Sequence, residues 1–327
     1  MPVDMSMDIL ETTRKVFSEP NFVKNLSEHG QIIHVEFSPF EWSQDLILIG
    51  FEKKILLAHL EIGDHVDVKI LTEFVHPCRS TTLSISPESS LSALPNQILF
   101  CAGGNDFKLR IYSSDLLENN TCKVLSGHTS YINDSVFDGE NNYLASASDD
   151  NTVKIWVTDD FKLKSTFNLS SPGINVCWHR SDSYKLLVAE KIGIIRFYNV
   201  ETETPILSLD YGKPLSSCHW APSDRDIVAS LQLGELLIWE LTKPCLPLNN
   251  NIIFPENGGS IKFSPHGELI AGVNSLDGSL KIIHVKSQAL KLTASVTLPT
   301  NVCWHYRSPV VCIGDDTKLC FWKVSAN

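Results

Sequence analysis

The string Asn-Val-Cys-Trp-His occurs twice, at residues 175–179 and 301–305. Cysteine and histidine are the commonest soft-metal ligands, so Cys177 with His179 and Cys303 with His305 read as two half-sites. A second set stands out by residue type: Asp150, His128 and the serines Ser146 and Ser148 are the members of an acid–base–nucleophile triad. Whether either set performs chemistry depends on the elements that position it. The two copies of the string lie 126 residues apart, three times 42. A separation that is a multiple of a short period points to a repeat.

The repeat is found by following Trp178. Its equivalents are Phe37 in VEFSP, Ile85 in LSISP, Phe137 in SVFDG, Trp220 in CHWAP, Phe263 in IKFSP and Trp304, with successive gaps of 48, 52, 41, 42, 43 and 41 residues. A second series runs in step with the first, through Tyr112, Trp156, Tyr198, Trp239, His284 and Trp322. Between them lie runs such as LASAS (144–148), KLLVAE (185–190) and ELIAGV (268–273). Alternation over four to six residues, with Asp, Asn or Gly between runs, predicts antiparallel strands and tight turns. Three or four strands in each unit of this length predict an all-β, seven-bladed β-propeller.

The third unit, SGHTSYINDSVFDGENNYLASASDDNTVKIW, resembles a WD repeat. That resemblance implies a buried hydrogen-bond chain from Trp156 to Ser146 or Ser148, then His128, then Asp150. On this reading the triad members are structural, and removing one strands the others in a low-dielectric interior. Val157 replaces the Asp that usually follows the tryptophan. The other units lack the Gly-His pair or the turn Asp, so only this blade should carry the full chain of bonds. Cys177 and Cys303 then occupy one register three blades apart, where other units place Glu36, His219 or Lys262, and should not converge on an ion. Two ligands two residues apart make half a metal site at best. The sequence therefore predicts no catalytic, metal or cofactor site, and no clustered titratable set beyond the His128 network.

Composition narrows the partners. There are 27 basic and 38 acidic residues, a net charge of −11, and no basic patch to overcome it, so direct nucleic-acid binding is not expected. No apolar run reaches the length of a bilayer span, and Asp4, Asp8 and Glu11 stand where a secretory leader would be basic. Nine cysteines without close pairs fit free thiols in cytosol or nucleus.

The chain divides into an extension over residues 1–20, a short helix or disordered, and one propeller over 21–327. Within DILETTRKVF (8–17), Ile9, Leu10, Thr13, Val16 and Phe17 share one side of a helix, able to dock on a partner or on the protein's own edge. Trp322 closes the third strand of the seventh unit and five residues remain, so the fourth strand must come from the other end. By analogy with 124–137, residues about 21–27 should pair with the last blade and close the ring. The loop Ser86–Gln97, rich in Ser and Pro, reads as a partner contact or a tolerated insertion. Gly103-Gly104 reads as a turn, and no phosphate-binding glycine loop, H-E-x-x-H or G-x-S-x-G occurs.

Several stretches resemble the family of small WD-repeat nucleoporins of the Y-shaped outer-ring scaffold of the nuclear pore complex. They are VEFSPFE (35–41), SPESSLSALP (86–95), KVLSGHTSYINDSVFD (123–138), SPGINVCWH (171–179), KLLVAEKIGIIRFY (185–198) and VCWHYRSPVVCIGDDTKLCFW (302–322). The resemblance is weakest at 241–300 and in the first 20 residues. It implies a non-catalytic scaffold subunit that binds a large outer-ring nucleoporin and the rest of the Y-shaped complex, without inserting in the membrane. It further implies residence in the nucleus at the nuclear envelope, kinetochores in mitosis, and support of protein and mRNA transport. The rival is a WD-repeat adaptor or substrate receptor in a ubiquitin ligase or chromatin complex. Such receptors often carry Trp-Asp-x-Arg, where this chain reads Trp156-Val-Thr-Asp and Trp239-Glu-Leu-Thr.

Overall fold

The computed structural model describes residues 17–324 apart from Asp64, Ala93, Glu118 and Glu256. The helix expected over residues 8–17 therefore lies, but for Phe17, outside the described residues. Among the described residues the chain folds into seven four-stranded antiparallel sheets. Blades 1 to 6 take residues 34–75, 80–125, 132–168, 173–210, 215–252 and 260–295 in order. Burial grades outward within a blade, and the sequence follows it. The second strands are covered on both faces and read as unbroken apolar or small runs: Leu46–Gly50 (LILIG) and Leu269–Asn274 (LIAGVN) are buried at every residue. The outer strand Asn120–Leu125 is exposed at all but its last residue. Tight turns join the second strands to the third, with left-handed backbone at Asn151, Leu233 and Asp316.

The core is not one mass. It divides into seven apolar clusters, each filling the wedge between two neighbouring blades. An open ring would leave the faces of blades 1 and 7 bare, so closure is a condition of stability here. Blade 7 is built from Pro299–Trp304, Val310–Asp315 and Lys318–Lys323, and its outer strand is Phe22–Asn25 from the other end of the chain. The register runs from Phe22 opposite Phe321 to Asn25 opposite Lys318. Flanking backbone bonds at Asn21 (to Phe321 O, 2.8 Å) and Leu26 (to Thr317 O, 2.8 Å) extend the seam over the span that strand counting required. Behind it, the seam between blades 7 and 1 is packed by the fully buried Leu26, Ile32 and Val35.

Two details differ from the sequence reading. The attachment reaches further back than residue 21: the Ser18 amide donates to Thr293 O at 2.8 Å, and the Trp322 indole donates to Ser18 O at 3.2 Å. A buried indole N–H needs an acceptor, and the chain before the strand supplies it. Gly103 and Gly104 are not a turn but the last two residues of the strand Ile98–Gly104. They are glycine because of crowding: a Cβ on Gly104 would lie 2.5 Å from Cys78 Sγ and from Asp106 Oδ1.

Candidate functional site

The duplicated string proves to be a device that ties blades together. Asn175 accepts the amide of Cys218 on the next blade at 3.0 Å, and Asn301 holds both Val35 N (2.9 Å) and Val35 O (2.7 Å) across the closing seam. In the other direction, Trp178 donates to Val136 O at 2.9 Å and Trp304 to Lys262 O at 3.0 Å, each on the preceding blade. Thr82, Asp134 and Ser217 make the forward bond at other joints, accepting from Ser135, Val176 and Ile261, each at 3.1 Å. Each of these five polar residues stands three positions before its blade's aromatic or apolar marker, as Asn175 does before Trp178. Sequence inspection missed this role, although that spacing was available to find it.

The cysteines and histidines of the string take no part in a metal site. Burial pushes the Cys177 thiol up to about 11, and the Cys303 thiol donates to Cys312 O at 3.5 Å. His179 packs edge-on against Trp220, ring centres 5.0 Å apart. His305 donates from Nε2 to Asp45 at 3.1 Å while its Nδ1 accepts the Ser308 amide at 2.9 Å, which fixes its tautomer. Among the described residues no three His, Cys, Asp or Glu side chains stand where they could hold a metal. Residues from separate blades do meet, however. Arg180 and Tyr306, which follow the two copies of the string, touch Nη2 to hydroxyl at 2.5 Å, with the guanidinium 5.2 Å from the ring centre.

In blade 3, His128 Nδ1 lies 2.8 Å from Asp150 Oδ2, and His128 Nε2 lies 2.8 Å from Ser146 Oγ. The Trp156 indole donates to the same Ser146 oxygen at 3.0 Å. The path from tryptophan to aspartate runs through Ser146. Ser148 stands aside, donating to Ser130 O at 3.3 Å and accepting the Asp150 amide at 3.1 Å. Burial keeps the His128 pKa below its usual value despite the carboxylate beside it. Burial also works against the Asp150 carboxylate, but bonds from Thr152, Thr129 and His128 outweigh it and hold its pKa low. Neutral His128 therefore donates from Nδ1 and accepts from the Ser146 hydroxyl at Nε2. Triad chemistry would need a nucleophile that a substrate can reach, and Ser146 is fully buried.

Blade 2 carries a variant that the sequence reading did not identify. The fully buried His76 sits 2.8 Å from the Tyr112 hydroxyl, which in turn donates to Val75 O at 3.1 Å. Cys78 lies 3.7 Å from His76 Nε2, and Asp106 is bound bidentately by Arg110 at 3.0 and 2.6 Å. Burial and the Arg110 charge lower the His76 pKa to about 4.

The central channel overturns the expectation that no titratable set would cluster outside blade 3. Glu36 of blade 1 pairs with Lys262 of blade 6 at 2.5 Å. The Lys262 charge also acts on His34, Asp134, Cys177 and His219. Burial, reinforced by Lys262, lowers His34 and His219 to about 3, and burial raises Asp134 to about 6 despite bonds from Val176 and Asn175. The sequence hid this set because its members sit on five different blades. Charge compensation across the channel braces the ring; it offers neither a metal triad nor an activated nucleophile.

The loop over residues 86–97 is anchored to the body at its start, whereas its tip, with Leu94 93% exposed, stands in solvent. Ser86 and Ser89 are fully buried, Ser89 Oγ donates to Leu99 O at 2.7 Å, and the Trp42 indole donates to Pro87 O at 2.7 Å. A shallow groove of about 440 Å³ opens on the rim between blades 5 and 6.

Known proteins are similar over nearly the whole ring. The WD domain, G-beta repeat family matches residues 119–157, which include every member of the His128 network. Nucleoporin Nup37 of Homo sapiens is 35% identical over 302 residues, covering 88% of this chain and 92% of that protein. Nucleoporin Nup37 of Mus musculus is 34% identical with the same coverage. Nucleoporin Nup37 of Drosophila melanogaster is 37% identical over 248 residues, 75% of this chain and 77% of that protein.

Proposed function

This chain belongs to the Nup37 family of nucleoporins, and on that premise we propose that it is a non-catalytic scaffold subunit of the outer ring of the nuclear pore complex. On this reading it binds a large scaffold nucleoporin within the Y-shaped complex and supports pore assembly and the transport of protein and mRNA. It resides at the nuclear envelope in interphase and at kinetochores in mitosis. The observation that carries the reading is identity to named nucleoporins along the length of the propeller, not in one repeat alone. The geometry agrees. A ring with clamped blades and a braced channel is a rigid body suited to presenting a surface, and a net charge of −11 favours a protein partner over a nucleic acid.

Affinity capture of the tagged chain from cells that express it, read by mass spectrometry, tests the reading. The expected result is a stoichiometric set of outer-ring nucleoporins, stable in moderate salt, with a signal at the nuclear rim; an interface of that kind buries more than about 1,000 Å². Recovery of a cullin adaptor or a chromatin complex in their place, with a diffuse signal, would overturn it.

A further inference from the structure

Large apolar side chains stand in water at one end of blades 1 and 2. Within each blade the connection from first to second strand and that from third to fourth open at the same end of the ring, because neighbouring strands are antiparallel. Three such connections meet here: residues 38–45 of blade 1, and residues 86–97 and 115–119 of blade 2. Leu91 and Leu116, one from each blade-2 loop, pack on the same wedge between the two blades, so these loops are neighbours. Beyond them Trp42, Leu94 and Leu117 are 55%, 93% and 74% exposed, and Trp42 stacks on Phe40 with ring centres 5.5 Å apart.

Two of these side chains are carried on tied loops. The Ser38 and Ser43 hydroxyls, 2.6 Å apart, close the first loop, and the Trp42 indole bond to Pro87 O joins it to the second. Asp115 accepts the amides of Leu117 at 2.8 Å and Asn119 at 3.1 Å, which closes the third. Apolar side chains on fixed loops lose little freedom when they are covered, and clustered on a surface they mark a place where something covers them.

Charge indicates what that is. The three loops hold five Asp or Glu and no Lys, Arg or His. Glu41 and Glu88 are exposed beside Trp42 and its acceptor Pro87. Glu88 and Asp115 meet neutral donors, Gln97 Nε2 at 3.2 Å and Asn119 Nδ2 at 2.6 Å, which leaves their charge uncancelled. In the corresponding loops of the flanking blades, Lys162 is held by Asp160 at 2.5 Å, and Arg307 stands on blade 7. A second copy of this face would bring like charges together, and an anionic lipid surface would be repelled.

We propose that the loops at 38–45, 86–97 and 115–119 form one docking face for a protein segment that sets leucine or aromatic side chains among lysines and arginines. The inference concerns the surface and the chemistry of what it holds, and it stands independently of the nucleoporin reading.

Affinity capture of the full chain, followed by carbodiimide coupling of carboxylates directly to lysine amines, tests it. Cross-links should join Glu41, Glu88 or Asp115 to lysines of a captured protein. Recovery of that protein should fall at least ~10-fold in Leu94→Asp, Leu117→Asp and Glu88→Lys, while Ile252→Asp on the rim of blade 5 captures as before. All three variants lie at exposed positions and should unfold at the same urea concentration as the unaltered chain. Should Leu94→Asp unsettle its loop, Leu117→Asp on a separate loop gives an independent readout. Undiminished capture by all three variants would overturn the proposal, as would cross-links from this face to a second copy of the chain or to no protein at all. Nucleoporins captured equally by every variant would defeat this proposal and leave the functional reading standing. Another assembly, lost from all three variants and cross-linked to this face, would do the reverse.

Discussion

Ser146→Ala and Ser148→Ala remove the same atom from alternate, fully buried positions of one strand, and the structure assigns them different consequences. The Ser146 oxygen is the joint between the Trp156 indole at 3.0 Å and His128 Nε2 at 2.8 Å. Its loss leaves one buried donor and one buried acceptor without partners, each costing about 1–3 kcal/mol. No water could replace it without displacing packed atoms, so Ser146→Ala should cost about 3 kcal/mol. Ser148 makes one long bond to Ser130 O and accepts the Asp150 amide, and Asp150 keeps four further bonds without it. Ser148→Ala should cost about 1 kcal/mol. Reversible urea unfolding monitored by tryptophan fluorescence reads the difference directly, provided the slope with urea is unchanged. A Ser146→Ala penalty under about 0.5 kcal/mol, or equal penalties at the two positions, would refute the bonding path through Ser146.

The buried histidines make stability fall in acid. His76 is neutral when folded down to about pH 4, whereas the unfolded side chain takes a proton from pH 6.5 downward. Its contribution is therefore intact above pH 6.5 and lost as pH falls to about 4, a difference of about 3 kcal/mol. His76→Asn should make the unfolding free energy fall less steeply over that window, the share of His34 and His219 remaining and Asp134, held up at about 6, acting in the opposite sense; an unaltered pH profile would refute it. Truncation tests the seam: relative to a chain beginning at Phe17, one beginning at Phe22 loses the acceptor of the Trp322 indole and both Asn21 bonds, and should lose about 2–3 kcal/mol. A chain beginning at Gln31 also loses the strand Phe22–Asn25 and the buried Leu26, and should aggregate through the bared edge of Lys318–Lys323; soluble monomers in size-exclusion chromatography would contradict the closure.

The sequence by itself determined the repeat, the blade number and the closing strand, while the blade-3 network was implied by the resemblance to a WD repeat, with Ser146 and Ser148 both open. Those features rest on local periodicity, and each blade must bury the same faces in the same order, so the marker aromatics recur where the geometry demands them. It also exposed the string at 175–179 and 301–305 as a matter of register, since only a repeat explains a spacing of three periods. Tertiary structure alone decided which oxygen carries the Trp156 bond, because Ser146 and Ser148 differ only in which neighbours face them across the sheet. It decided the channel set as well: Glu36 and Lys262 are 226 residues apart and meet only when the ring has closed. Ser18 is the same kind of case. Nothing in its sequence neighbourhood marks it, and it matters because folding leaves the Trp322 indole N–H facing its carbonyl across 304 residues of chain. Periodic burial is written along the chain, whereas pairing between distant polar atoms is fixed only by the closed ring that brings them within hydrogen-bond reach.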